Sequence, residues 1–347
     1  MQFKISCLSL SRCIRNSIAA ALIVGSWQYC FSQAPAEIAH LLERAQAGYV
    51  NEEMQLSHAF QSGIGVPQSS GEAARWMLKA ANQGNPLAQT DIGYAYFTGA
   101  GVAIDPQQAF KWFERAALAN YPPAQNDLGL LLIKGEGTAR DVSAGVRWVR
   151  KAAEHNLAPA QLHIGIFYLL GIGLEPDNRE AMQWIHKAVK QHYPQAEYLM
   201  GELYEEGQSV PRDLSKAVYW FRMSADRGLA LAQNELGKLC EAGAGVPQDK
   251  SAALRWYFVA AEAGNSQALI NLVRMYATYG IADRAYFWGL LALRSSPNLT
   301  ALSEVVASAR RHLAEKDVLR VEAEATEWIQ AHSGHAQQGV DLAFNIH

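Results

Sequence analysis

Ten histidines, a cysteine at 240 and a glutamate group at 202, 205 and 206 are the residues of this 347-residue chain whose types could carry metal, nucleophilic or acid–base chemistry. Their spacing argues against it. His186 and His192 are six apart, which places them on different sides of a helix, and His58, His155 and His163 are scattered. The chain contains no Gly-x-Ser-x-Gly elbow, no Ser-x-x-Lys, no His-Glu-x-x-His and no Gly-Lys-[Ser/Thr] phosphate loop. No catalytic residue, metal ligand or cofactor site is therefore expected.

Aromatic side chains could instead stack on a sugar or a cofactor, and nine tryptophans are available. Six of them follow one rule. Trp76, Trp112, Trp148, Trp184, Trp220 and Trp256 stand 36 residues apart, without insertion or deletion. A fixed period of this size marks a repeat array in which each unit is one supersecondary element. At one phase of an amphipathic helix the indoles read as core, not as a binding platform.

Aligned on tryptophan, other positions fall into register. Three residues earlier stands Ala or Gly (Ala73, Ala109, Gly145, Ala181), and four later Ala or Ser (Ala80, Ala116, Ala152, Ser224). These spacings put small side chains on the helical face that carries the indole. Twelve residues after tryptophan comes Ala in all six units. An aliphatic follows at sixteen, glycine at seventeen in the first five (Gly93 to Gly237), and Tyr, Leu or Cys at twenty. Ala, aliphatic and aromatic at i, i+4 and i+8 make the buried stripe of a second helix. A mid-helix glycine costs about 1 kcal/mol against alanine, so its recurrence predicts close helix–helix packing. Between the helices runs Gly-x-Gly-Val, as at Gly99–Val102 and Gly243–Val246, and then an N-cap candidate: Ser69, Asp105, Asp141, Asp177, Asp213 or Asp249. Each unit reads as helix A, a glycine loop, and a helix B that carries the tryptophan.

The run Ala-Gln-x-x-Leu-Gly-x-x-Tyr-x-x-Gly-x-Gly-Val-x-x-Asp-x-x-x-Ala-x-x-Trp-x-x-x-Ala-Ala resembles the Sel-one-like repeat, a relative of the tetratricopeptide repeat. Residues 88–117 match it almost fully, and the resemblance spans roughly 45–293. It implies an all-α fold, a right-handed superhelical α/α solenoid of about seven repeats, and an adaptor or scaffold function. By analogy with tetratricopeptide packing, helix A lines a concave face at positions 14, 18 and 21 after tryptophan. The partner-binding residues expected there are Tyr94, Phe97, Asn126, Leu130, Ile133, Leu162, Ile166, Leu169, Tyr198, Glu202, Lys238 and Arg274. In this reading units 2 to 4 show an apolar patch, followed by acidic and then basic residues, as a partner-binding surface would. A hydrolase acting on cell-wall material or β-lactams, or a fixed subunit of an envelope complex, are the competing functions.

The ends depart from the pattern, as capping units do. Glu52 and Ser57 replace the expected Ala and Gly, and the interval from Trp256 to Trp288 shortens to 32. Two further helices are expected between Leu299 and Gln330, and a loose tail after 333. At the other end Lys4, Arg12 and Arg15, the apolar stretch Ser17–Gly25 and the small residues Ala34-Pro35-Ala36 read as a secretory leader cleaved after Ala36, with Gly25-Ser26 as the alternative cleavage point. Nine apolar residues are too few to span a bilayer, which needs about 20. The mature chain would keep only Cys240 and so no internal disulfide. With a net charge of −3 before cleavage, nothing calls for nucleic acid. The expectation is a periplasmic or secreted monomer, solenoid over 37–295 and capping helices over 296–332, that binds another protein.

Overall fold

The structure, a computed structural model, describes residues 36–207, 209–295 and 300–332. The proposed leader and the tail lie outside them, apart from Ala36. Seventeen helices and no strand occur among the described residues. A leading helix α1 (Ala36–Gln46) is followed by seven A/B pairs: α2 (Val50–Ser62) and α3 (Ser70–Asn82), α4 (Pro86–Thr98) and α5 (Pro106–Leu118), α6 (Pro122–Lys134) and α7 (Val142–Glu154), α8 (Ala158–Leu170) and α9 (Asn178–Lys190), α10 (Pro194–Glu206) and α11 (Leu214–Asp226), α12 (Ala230–Ala242) and α13 (Lys250–Glu262), α14 (Ser266–Thr278) and α15 (Ala282–Ser295). Helices α16 (Thr300–Arg311) and α17 (Glu315–His332) close the series. This is an α/α solenoid. None of the described helices is long and apolar enough to cross a membrane. The chain divides inside α7, between Trp148 and Val149, into two compact units.

Helix length is set at both ends by side-chain chemistry. All six N-cap candidates accept a backbone N–H of their helix B: Ser69 from Glu72, Asp105 from Gln108, Asp141 from Ala144, Asp177 from Arg179 and Glu180, Asp213 from Lys216, and Asp249 from Ala252. Each A helix from α2 to α12 ends on a glycine in the left-handed region, such as Gly99 at φ 81°. The loop is then closed by the N-cap backbone N–H, which donates to a carbonyl nine residues back, as Asp105 does to Tyr96 at 2.9 Å. The seventh pair dispenses with this loop. Three residues, 279–281, join α14 to α15 where seven join α12 to α13, and that deletion of four shortens the tryptophan interval to 32.

The core holds a finding about tryptophan. Trp76, Trp112 and Trp184 are buried, but Trp148, Trp220 and Trp256 are only half-buried. The deepest side chains stand one residue later: Phe113, Val149, Ile185, Phe221 and Tyr257 are all fully buried. Four of these knobs, Phe113, Ile185, Phe221 and Tyr257, press on the mid-helix glycine of their own A helix: Gly93, Gly165, Gly201 and Gly237. A Cβ added at Gly201 would lie 2.6 Å from the Phe221 ring, and one at Gly237 would lie 2.5 Å from Tyr257. The glycine thus serves close packing, as its recurrence predicts. In the first pair Ser57 takes the glycine position and its hydroxyl donates to the Ala73 carbonyl at 2.7 Å. At the C-terminal end Leu302, Val306, Ala309, Val318, Val321 and Ala325 are buried, whereas Val305 is exposed.

Candidate protein-interaction surface

The A-helix positions singled out by sequence separate into two groups. Position 14 after tryptophan is a packing row: Thr90, Asn126, Leu162, Tyr198 and Asn234 are all buried. Leu130 and Ile133 are buried too, at 2% and 4% exposure. The reading of Asn126, Leu130, Ile133, Leu162 and Tyr198 as an open binding patch is corrected accordingly. Within each unit, adjacent A helices meet on this side. The Asn271 amide donates to Asn234 at 2.9 Å, and the Tyr94 hydroxyl donates to Asp127 at 2.6 Å, each across to the adjacent A helix. Tyr94, Phe97, Ile166, Leu169 and Glu202 remain half-buried, and Lys238 and Arg274 are exposed. These seven are what the A-helix face can offer a partner.

Charge is distributed unevenly along this face. In the first unit the Asp91 carboxyl is pushed up to about 6 by burial alone. Asp127 lies near it, hydrogen-bonded by Tyr94 and by the Asn126 amide at 3.2 Å, and the two carboxylates add to burial in pushing the Tyr121 phenol up. In the second unit burial raises Glu202 to about 6 despite its hydrogen bond with Tyr198, and raises Glu205 as well. Burial and Glu202 together push the Tyr198 phenol upward. Further along, the acids carry their own cations. Lys238 pairs with Glu235, and Arg274 bonds Glu241 at 2.7 Å while the Tyr257 hydroxyl adds a bond at 3.0 Å. The Arg274 guanidinium holds the Glu241 carboxyl below the usual carboxylate range.

A carboxyl raised in the folded state favours folding at low pH, and that advantage is lost as pH climbs from its ordinary value near 4 through about 6. Asp91→Asn is therefore expected to stabilise the protein by about 1–2 kcal/mol at pH 7.5, and to leave it unchanged at pH 4. Urea unfolding at the two pH values checks this; equal effects at both would show that the carboxylate is not desolvated.

The Sel1 repeat profile matches residues 53–85, 86–121, 122–157, 158–193, 194–229 and 230–265, continuously and over more than half of the chain. The chain belongs to the Sel1 repeat family. Among solved structures it is similar to a Sel1 repeat protein from Oxalobacter formigenes, at 34% identity over 72% of this chain and 100% of that one, with a TM-score of 0.62. It is also similar to c5321, a protective antigen present in uropathogenic Escherichia coli strains and displaying an SLR fold (24% identity, 85% of this chain and 79% of that one, TM-score 0.40). A third similar structure is the immunity protein Pa5087 from Pseudomonas aeruginosa (20% identity, 61% and 81% covered, TM-score 0.47). No curated protein matches the chain. Sel1 and tetratricopeptide-like repeat proteins are generally protein-interaction scaffolds and typically non-catalytic.

The Sel1 repeats also use residues that the spacing argument passed over. The glutamine after the invariant alanine of helix A caps the preceding helix B: Gln89, Gln125, Gln161 and Gln233 donate to the carbonyls of Ala81, Ala117, Ala153 and Ala225 at 3.1–3.3 Å. In the fifth pair Glu197 takes that place and cannot donate; it is buried and held by Arg227 at 3.1 Å instead. Cations three residues after tryptophan cover the indole, with Lys79, Arg115 and Lys187 lying 3.9, 4.5 and 3.5 Å from the ring centres. Both patterns were visible as recurring letters; the glutamine's partner lies on the preceding helix, whereas the cation lies one turn along the indole's own helix.

The histidines have local structural settings. His163 is buried against Phe167, and His192 occupies the left-handed turn position, at φ 57°, that glycine fills in other repeats. No metal-binding group of three or more His, Cys, Asp or Glu occurs among the described residues. Cys240 is buried, and burial pushes its thiol up.

Proposed function

We propose that the chain is an exported adaptor of the bacterial envelope or extracellular space, which holds a partner protein segment along its A-helix face. The observation that carries this reading is a division of labour along the repeat. The positions of fixed identity are used for packing, capping and loop closure, whereas the half-buried and exposed A-helix residues change from apolar Phe97, Ile166 and Leu169 to charged Glu202, Lys238 and Arg274. Surfaces that combine apolar and charged side chains in this way suit protein partners. The charged and apolar leader pattern of residues 1–36 supports export.

The test places a photo-crosslinking amino acid at Phe97, Leu169 or Lys238 in cells, with controls at the exposed B-helix positions Glu114 and Gln183. Cross-linked partner is expected from the A-helix sites and lost on Phe97→Glu or Leu169→Glu, variants in which far-ultraviolet circular dichroism stays helical. Products from the B-helix sites alone would overturn the assignment of the face.

A further inference from the structure

Asp91 is the feature of the A-helix face that the packing of the repeats leaves unexplained. It lines a cleft of about 350 Å³ in the first unit, between α2 and α4 with α3 as its floor. The walls include Ser57, Gln61, Met77, Tyr94 and Thr98. Three hydroxyls in this lining spend their protons elsewhere: Ser57 on the Ala73 carbonyl, Thr98 on the Tyr94 carbonyl, and Tyr94 on Asp127. Asp91 itself makes no hydrogen bond or ion pair with any described residue. The Asp91 side chain is half-buried, and a carboxylate drawn partly out of water without a donor or a cation carries a cost that structures normally offset.

The second unit shows what the complement looks like. Its corresponding cleft lies between α12 and α14, over Tyr257 of α13, and is lined by Glu235, Lys238, Glu241 and Arg274. There the guanidinium of Arg274 and the hydroxyl of Tyr257 both bond Glu241. Five repeats separate the two clefts, so Asp91 stands where Asn271 stands and Tyr94 where Arg274 stands. The first cleft is lined by one acid, Asp91, and by no lysine or arginine, whereas two acids and two cations line the second.

We propose that the cleft between α2 and α4 receives a cationic side chain of the bound partner, a lysine or an arginine, with its charge on Asp91 and its aliphatic stem along Met77. This rests on the reading of the A-helix face as the partner surface. The cleft has the size of a small ligand site. Its apolar floor and single open carboxylate match a long side chain with a charged end.

The experiment uses the full chain and three peptide probes, acetyl-Gly-Ala-X-Ala-Gly-amide with X as lysine, norleucine or glutamate. Binding is followed by isothermal titration and by the carbon-13 resonance of the Asp91 carboxyl. The lysine peptide is expected to bind about tenfold or more tighter than the norleucine peptide, a ratio of the size a charge-assisted hydrogen bond gives, and to lower the pH at which the Asp91 resonance titrates. Asp91→Asn, which is expected to fold at least as well as the parent protein, removes the preference for lysine. Equal binding of lysine and norleucine, or a lysine preference that survives Asp91→Asn, overturns the proposal. Cross-linking at Phe97 separates this result from the wider reading. A partner captured there equally by the parent and by Asp91→Asn overturns the pocket alone. No capture from any A-helix site overturns the partner face, whatever the peptides do.

Discussion

Phe221→Ala is expected to lower the unfolding free energy by about 3–5 kcal/mol, and to cost more than Trp220→Ala beside it. Phe221 is fully buried and packs its ring on the backbone at Gly201 and near Tyr198, 5.5 Å between ring centres. Removing the ring leaves a cavity against a helix that has no side chain at 201 to fill it. Trp220 is half-buried, so part of its surface already faces water and its loss opens a smaller void. A double-mutant cycle isolates the contact. Gly201→Ala in the parent protein drives a Cβ to 2.6 Å from the ring and is expected to destabilise. In the Phe221→Ala background the clash is gone, and the same change should gain up to about 1 kcal/mol from helix propensity. Urea unfolding followed by circular dichroism gives all four corners of the cycle. A larger loss for Trp220→Ala, or additive effects of the pair, would mean that the knob is misassigned.

The tryptophans nevertheless made the fold readable. Their spacing gave the phase, and from the phase came the helix pairs, the six N-caps, the loop glycines and the packing glycine of helix A. Each of these is a local rule, satisfied within one pair or at one helix end. The knob escaped notice for a different reason. Phe113, Val149, Ile185, Phe221 and Tyr257 share a hydrophobic character, not an identity, so a search for recurring letters passes over them.

The candidate surface was legible only in part. Periodicity says which face of helix A is apolar, but it does not say how many neighbours that helix has. Helix α12 has α14 beside it, and its position-14 residue Asn234 is taken up by that contact, bonded to Asn271. Asp91 was missed altogether, because its desolvation depends on the width of the gap between α2 and α4. Nothing in the local sequence sets that width. Glu202 is half-buried on helix A, and its raised titration comes from burial that only the folded chain creates.

The second glycine of the loop marks where one repeat touches the one before it, and Gly101→Ala is expected to cost about 3 kcal/mol or more. Gly101 sits at φ 78°, and an added Cβ would fall 2.0 Å from the backbone carbonyl oxygen of Ser70, in the first turn of α3. Gly137 stands in the same relation to the Pro106 carbonyl, also at 2.0 Å. Neither obstacle is a side chain that can turn away. Two penalties therefore act together at Gly101: left-handed backbone strain of about 1–2 kcal/mol for a residue with a Cβ, and withdrawal of the loop from α3. Gly84→Ala supplies the control, since it lies in the same unit, at φ 89°, with nothing within 4 Å of the added Cβ. It should show the strain alone, about 1 kcal/mol. The difference between the two variants measures the loop contact between adjacent repeats. If both alanines cost the same, the loop is not a stacking element, and repeat-to-repeat cohesion must come from the helices alone.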